Sequence, residues 1–294
     1  MYRHSGLLKF SYYPTFFRIH VMKLSPSLVI IMLILLSATF TKGQEVFLSG
    51  SRSQALAGVS VSLTDGWSVF GNQAGLAQIK HLTIGGTFHN RFWIKELSAS
   101  AGLFVLPMNT SVFAFSVYQF GKTSFRQEKI GLAYARSLIP RLDVGIQFNY
   151  YRYFLAEENR SIGTPGLELG FQYQLTDQLL LGLHAVNPYR TSLQTLSGAY
   201  SYPSRYNLGA YIQLSDSFGF ATELQKDQLH PPTIKTGLEY DMADRLFIRT
   251  GIAGKPFQLS AGLGFEVNMM KIDLAVAYHQ YLGNSPSFSF QYQF

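Results

Sequence analysis

From residue 81 onward, apolar and polar positions alternate in short runs separated by turn-forming residues. The last run is the clearest: Phe288, Phe290, Tyr292 and Phe294 alternate with Ser287, Ser289, Gln291 and Gln293. Strand side chains repeat every two residues, so the aromatic set shares one face and the polar set the other. The sequence stops on that aromatic face, with no later segment to cover it. A closing strand with lipid outside and a polar lumen inside accommodates such a face, because a barrel has no free edge. The same pattern predicts fourteen strands: 81–92, 96–106, 110–120, 127–138, 141–154, 166–175, 178–187, 204–214, 217–226, 232–241, 244–252, 256–266, 270–281 and 285–294. Their lengths match the ~9–11 residues that a tilted membrane-crossing strand needs.

The connections alternate in length. Strands 2–3, 4–5, 6–7, 8–9, 10–11 and 12–13 are joined by tight turns carrying Asn109, Pro140, Asp177, Asp216, Asp244 and Asn268. Asx residues and Pro favour turns for defined backbone reasons. The other side holds longer connections, the longest at 156–165 and 188–203. An even strand count with short turns on one side predicts an all-β, 14-stranded antiparallel transmembrane β-barrel.

Register follows from the alternation. Leu142, Val144, Ile146, Phe148 and Tyr150 are expected to face lipid, with Asp143, Gly145, Gln147 and Asn149 inward. A one-residue slip would turn every inward charge toward lipid. The inward charges form a mixed set: Glu168, Arg205, Glu223, Lys235, Glu239, Arg249, Glu266 and Asp273. Solvated or segment-pairing charges explain this set better than an ion-selective site, since both signs are present. Aromatic residues gather at strand ends, as interfacial girdles do: Tyr173, Tyr240, Phe265 and Tyr292 at the short turns, and Phe92, Trp93, Tyr118, Phe120, Tyr150, Tyr153 and Tyr281 at the long loops.

Residues 44–80 do not share the alternation, and Gly66, Gly71 and Gly75 interrupt regular structure there. A barrel of fourteen strands is too wide for its own side chains to fill. Inward Gly145, Gly170, Gly219 and Gly264, among others, leave room for another backbone to approach. Residues 44–80 are therefore expected to plug the lumen. The alternative is that the glycines serve only strand coiling.

Composition changes the picture at the N-terminus. The net charge of +7 invites a nucleic-acid reading, but residues 1–43 hold five basic residues and no acid, leaving 19 basic and 17 acidic groups. No nucleic-acid partner is expected. Met22 and Lys23 precede an apolar run from Leu28 to Leu36, too short to span a membrane, and then a small-residue zone ending at Gly43. This reads as a signal peptide over 22–43, with 1–21 an upstream extension. With no Cys, the exported chain has neither a disulfide framework nor a lipoprotein anchor.

No catalytic pattern emerges. There is no zinc-protease His-Glu pattern, phosphate loop or nucleophile elbow, and His81, His89, His184, His230 and His279 have no metal spacing. Asp273 and His279 share a strand face but lie about 20 Å apart at strand rise, beyond hydrogen-bond reach. Neither enzyme activity nor a cofactor is expected.

Two stretches resemble known proteins. The ending on Tyr292 and Phe294 resembles the C-terminal signal of bacterial outer-membrane barrels, which implies the barrel assembly machinery as a partner. The segment 51–61 followed by 67–77, with Arg52, Asp65, Trp67, Asn72 and Gly75, resembles the N-terminus of the PorV/PorQ family. These are FadL-like outer-membrane barrels of Bacteroidetes-type bacteria, some of which serve type IX secretion. The family pattern reads Asn-Pro-Ala-Gly-Leu, and here Gln73 replaces the Pro. The resemblance implies an integral outer-membrane protein of a Gram-negative bacterium, in contact with outer-membrane lipid. Its role would be secretion-associated, with secretion-system components as partners. Alternatively, it would be a FadL-like transporter of hydrophobic small molecules. Residues 188–203, with Tyr189, Arg190, Leu193, Leu196, Tyr200 and Tyr202, form the best candidate contact loop. A soluble secreted β-sandwich is a third reading, which extraction without detergent would support.

Overall fold

The computed structural model describes residues 49–294 except 157–159, 190–191, 196–197, 202–203, 244 and 255–256. The signal peptide, the upstream extension, the first residues of 44–80 and the turn residue Asp244 lie outside the described residues.

Sixteen strands follow in chain order: β1 (Thr83–Asn90), β2 (Ser98–Met108), β3 (Ser111–Gly121), β4 (Phe125–Ile139), β5 (Leu142–Leu155), β6 (Arg160–Thr176), β7 (Leu179–Val186), β8 (Ser192–Thr195), β9 (Gly198–Ser201), β10 (Arg205–Ser215), β11 (Phe218–Asp227), β12 (Thr233–Asp241), β13 (Leu246–Ala253), β14 (Gln258–Val267), β15 (Met270–His279) and β16 (Gly283–Gln293). Fourteen of them close an antiparallel barrel, in which β16 pairs with both β15 and β1. β8 and β9 form a separate hairpin inside the long 188–203 connection. The side chains of 190–203 lie outside the described residues.

Each predicted strand has a counterpart. The largest boundary difference is β6, which begins at Arg160 because its ladder with β5 continues to the Leu155–Arg160 pair. β7 joins β6 only from Glu168 onward. Pro165 therefore sits where β6 has no β7 neighbour, an edge position that tolerates its missing N–H. At the short turns, Asn109 and Asn268 adopt left-handed φ of 49° and 53°, which Asn does more readily than most residues.

The two faces separate as the alternation requires. Outward Phe104, Phe115, Leu132, Phe148 and Leu208 are exposed, while inward Ser116, Gln147, Gln172, Glu223 and Gln291 are buried. Hydrocarbon offers backbone groups no hydrogen bonds, and a closed ladder satisfies them internally. Tyr173, Tyr240, Phe265 and Tyr292 stand on the outer face at the short-turn rim, and Trp93, Tyr150 and Tyr281 are exposed at the other. Three residues assigned to that second girdle do not belong to it. Tyr118 and Tyr153 are buried and Phe120 is half-buried, all on the lumen face. Their position along the strand is rim-like, but they share parity with inward Ser116 and Asn149.

Inside the barrel, a short helix α1 (Gly50–Ala55) and two 3-10 turns, Gly66–Val69 and Gln73–Gln78, follow one another. The segment packs on α1 against β13 to β16 and on the second turn against β4 to β6. Trp67, Val69, Phe70 and Leu76 pack onto a wall of small residues that includes Val105, Ala114, Ala133 and Ala135. Leu56, Val59 and Leu63 pack against Ala221 on the other side. Several inward glycines admit the segment's backbone. A Cβ at Gly145 would overlap the backbone of Gln73 and Ala74, and one at Gly170 would overlap the Asn72 amide. Gly219 and Gly264 face barrel side chains instead, Tyr211 at the first and Arg249 with Asp273 at the second.

Gly145→Val is expected to push the 72–76 turn off the wall and cost about 1–3 kcal/mol, as overpacking does. Trypsin should then cut at Arg52 in a barrel that still migrates as folded. Gly102→Ala, whose Cβ meets only ordinary contacts at 3.4 Å, should change nothing. Equal protection of both variants would contradict this packing.

Candidate functional site in the barrel lumen

The inner segment is held to the wall by carboxylates that the strands aim inward. Glu168 on β6 is the most heavily used. It accepts hydrogen bonds from Lys129 Nζ at 2.5 Å, Gln73 Nε2 at 2.8 Å, Asn149 Nδ2 at 2.9 Å and Tyr151 OH at 3.2 Å. His184 Nε2 lies 3.1 Å from it. The Lys129 and Glu168 side chains are both 2% exposed. A buried charge is tolerated only when it is paired and its remaining lone pairs are satisfied, and Glu168 meets both conditions. Gln73, at the position where the family pattern has Pro, is one of its donors.

Glu223 on β11 accepts from the backbone N–H groups of Ser60 at 2.8 Å and Val61 at 3.0 Å, and from Lys235 at 2.9 Å. Lys235 also donates to the Gly58 carbonyl at 3.0 Å. Glu239 on β12 takes a two-pronged bond from Arg52, through Nη2 at 2.7 Å and Nε at 2.9 Å. Arg249 donates to Glu239 at 2.5 Å and to Asp273 at 2.6 Å. Arg52 Nη1 reaches Asp65 at 3.1 Å. Burial works against the charge on Arg52, yet Glu239 and Asp65 outweigh it and hold its pKa above the ordinary guanidinium value. Planar two-pronged pairing of this kind fixes orientation as well as energy.

Uncharged groups complete the attachment. Asn72 Nδ2 donates to the carbonyls of Val61 at 2.7 Å and Phe171 at 3.0 Å, while its Oδ1 accepts from Ala74 N and caps the second turn. Asp65 caps the first turn by accepting from Trp67 N at 2.9 Å. Gln172 donates to the carbonyls of Val61 and Leu63, both at 3.0 Å. Gly75 lies so close to the Leu63 carbonyl and Ser68 that a Cβ would overlap them. Trp67 stacks on Phe70 in the dry cluster.

The predicted site residues thus fall into groups. Arg52, Asp65, Glu239, Arg249 and Asp273 form one network, and Glu223 with Lys235 a second. Glu168 forms a third with Lys129 and His184, which the sequence reading had not singled out. Arg205 faces the same wall, opposite Val186 and Asp227. Glu266 is the exception: it pairs with Lys271 at the short-turn rim and stays partly exposed, so it does not belong with the packed lumen charges. Tyr292 and Phe294 pack edge-on at 4.8 Å, and Phe294 N donates to the Leu82 carbonyl.

Toward the long loops the lumen wall becomes aromatic. Phe120 meets Phe125 edge-on at 6.3 Å, Phe125 lies 6.4 Å from Tyr153, and Tyr151 and Tyr153 pack with Val186 and Ile162. Asp273 is engaged by Arg249, whereas His279 contacts Phe92 and Tyr281, so the two do not form an acid–base pair. Among the described residues, no group of three or more metal-binding side chains comes together.

Replacing Glu168 by Gln leaves Lys129 buried without its anion, which should cost about 3–5 kcal/mol. Lys129→Met alone should also destabilise. The double variant should lose clearly less than the sum, read as the urea midpoint in detergent. Strict additivity would mean that the pair is not coupled.

No protein-family model matches the chain, and no curated protein matches it in sequence. Solved structures do. It is similar to a Pseudomonas aeruginosa FadL homologue, at 14% identity and a TM-score of 0.65 over 85% of this chain and 100% of that one. It is similar to the Pseudomonas putida toluene transporter TodX, at 12% identity and 0.63 over 86% and 98%. A third is the CymD monoaromatic hydrocarbon channel, at 14% identity and 0.62 over 83% and 97%. At such identities the likeness speaks to architecture, and by architecture this chain is a FadL-like barrel.

Proposed function

We propose that this chain is an outer-membrane channel for hydrophobic small molecules, in which residues 44–80 plug the lumen and shift to let the ligand pass. The observation that carries this reading is the aromatic wall of Phe120, Phe125, Tyr151 and Tyr153 at the long-loop end of the lumen. Concave sites lined by aromatic side chains with a few polar groups are where small apolar ligands bind. Further in, the segment fills the lumen with a dry cluster, so passage requires it to move. Solved structures with this architecture include transporters named for toluene and for monoaromatic hydrocarbons, which supports the choice of ligand. The secretion-associated role implied by the resemblance over 51–77 rests on that resemblance alone. Co-purification of secretion components from native membranes would favour it instead.

The natural chain has no cysteine, so a cross-link can be placed cleanly. Asn72 lies against the Cα of Gly170, and Asn72→Cys with Gly170→Cys should tie the segment to β6. Labelled toluene should enter liposomes carrying the natural protein faster than empty ones. It should stop entering with the oxidised pair and resume on reduction. Entry indifferent to the cross-link would contradict a moving plug.

A further inference from the structure

The turn after β1 carries a half-buried arginine that no carboxylate neutralises among the described residues. The guanidinium of Arg91 lies 5.5 Å from the Phe92 ring centroid, and none of the ion pairs includes it. The buried lumen cations Lys129, Arg52 and Arg249 all have an acid. Burial holds the Arg91 pKa below its ordinary value, the sign of a cation short of an anion. Its charge is felt by His89 and by Tyr118, both on the lumen face.

Two further observations converge on the same corner. His89 is 6% exposed and Ser287 is 7% exposed, and they stand directly opposite each other on β1 and β16. The Nε2 of His89 and the Oγ of Ser287 both lack a hydrogen-bond partner, although buried polar groups are nearly always paired. The turn itself is strained: Phe92 and Trp93 are consecutive bulky residues at left-handed φ of 57° and 61°. Such strain persists where surrounding contacts impose it, and it clusters at binding sites. Here the Phe92 N–H donates to Ser285 Oγ at 3.1 Å and the Phe92 ring meets His279 edge-on. His89, Ala99 and Phe120 lie in one register row across β1, β2 and β3, so a single small residue separates this corner from the aromatic wall.

We propose that Arg91, His89 and Ser287 bind the carboxylate of a monoanionic aromatic acid whose ring packs on Tyr118 and Phe120. A neutral alcohol would leave the Arg91 charge unmatched, and one guanidinium beside an uncharged imidazole suits a single negative charge better than two. The proposal takes the location of the ligand from the channel reading and adds the chemistry of its head group.

Benzoate and benzyl alcohol, alike in size and different in charge, provide the test by calorimetric titration of the full protein in detergent. Benzoate should bind about tenfold tighter or more, the scale of one charge-assisted hydrogen bond. Arg91→Gln should remove that preference, Arg91→Lys should retain part of it, and Ser287→Ala should reduce it. Heat-modifiable gel migration identifies variants that have folded. Should Arg91→Gln fail that check, the wild-type preference and Ser287→Ala decide. Equal affinity of the wild type for both compounds, or a benzoate preference that survives Arg91→Gln, overturns the proposal. Wild-type toluene entry, measured in parallel, reports on the channel reading alone. Arg91-dependent benzoate binding without toluene entry would sustain the subsite and remove the transport role.

Discussion

Within hydrocarbon, a backbone N–H or C=O left without a partner has no water to turn to. Everything else in this protein depends on how the chain meets that constraint. β16 pairs with β1 from the Thr83–Gln293 pair to the His89–Ser287 pair, and the ladder thereby has no end. Closure makes an outside and an inside out of an ordinary alternating sequence. Phe288 and Phe290 then face lipid while Ser287, Ser289 and Gln291 face inward. The same closure creates a lumen that fourteen strands cannot fill with their own side chains. Residues 49–80 occupy that space, and the wall is built of Gly and Ala where they approach most closely.

The inner segment is held in two ways that differ in reversibility. Its apolar side, with Trp67, Phe70 and Leu76, is packed dry against β2 to β4. Its polar side rests on three inward carboxylates, Glu168, Glu223 and Glu239, each shared with a barrel cation. Buried pairs of this kind add little net stability compared with apolar packing, but breaking one partner is costly. They fix where the segment sits more than how tightly. An element held by a few discrete polar bonds can adopt a second arrangement without unfolding the barrel around it.

Much of this was legible in the sequence because a strand's period of two leaves little freedom. The fourteen strands, their facing and the inward position of Glu168, Glu223 and Glu239 follow from the alternation alone. The partners of Glu168 were not legible. Lys129 and His184 lie on β4 and β7, and which residue stands beside which depends on stagger between strands distant in sequence. Gln73 was visible as a departure from a motif, but its hydrogen bond to Glu168 required the fold. The misplaced girdle residues teach a narrower lesson. Position along a strand gives height in the membrane and parity gives the face. Counting parity from Phe113, Phe115 and Val117 turns Tyr118 and Phe120 inward. That correction supplies the aromatic wall on which the functional reading rests.

The central claim is that a closed cylinder crosses the bilayer with its lumen sealed by its own N-terminal segment. Single-channel recording of the mature chain in a planar bilayer tests it most directly. The account requires insertion without steady ion current, since the dry cluster around Trp67 and Phe70 leaves ions no continuous water path. A steady conductance of the size carried by an unobstructed fourteen-strand pore would contradict it.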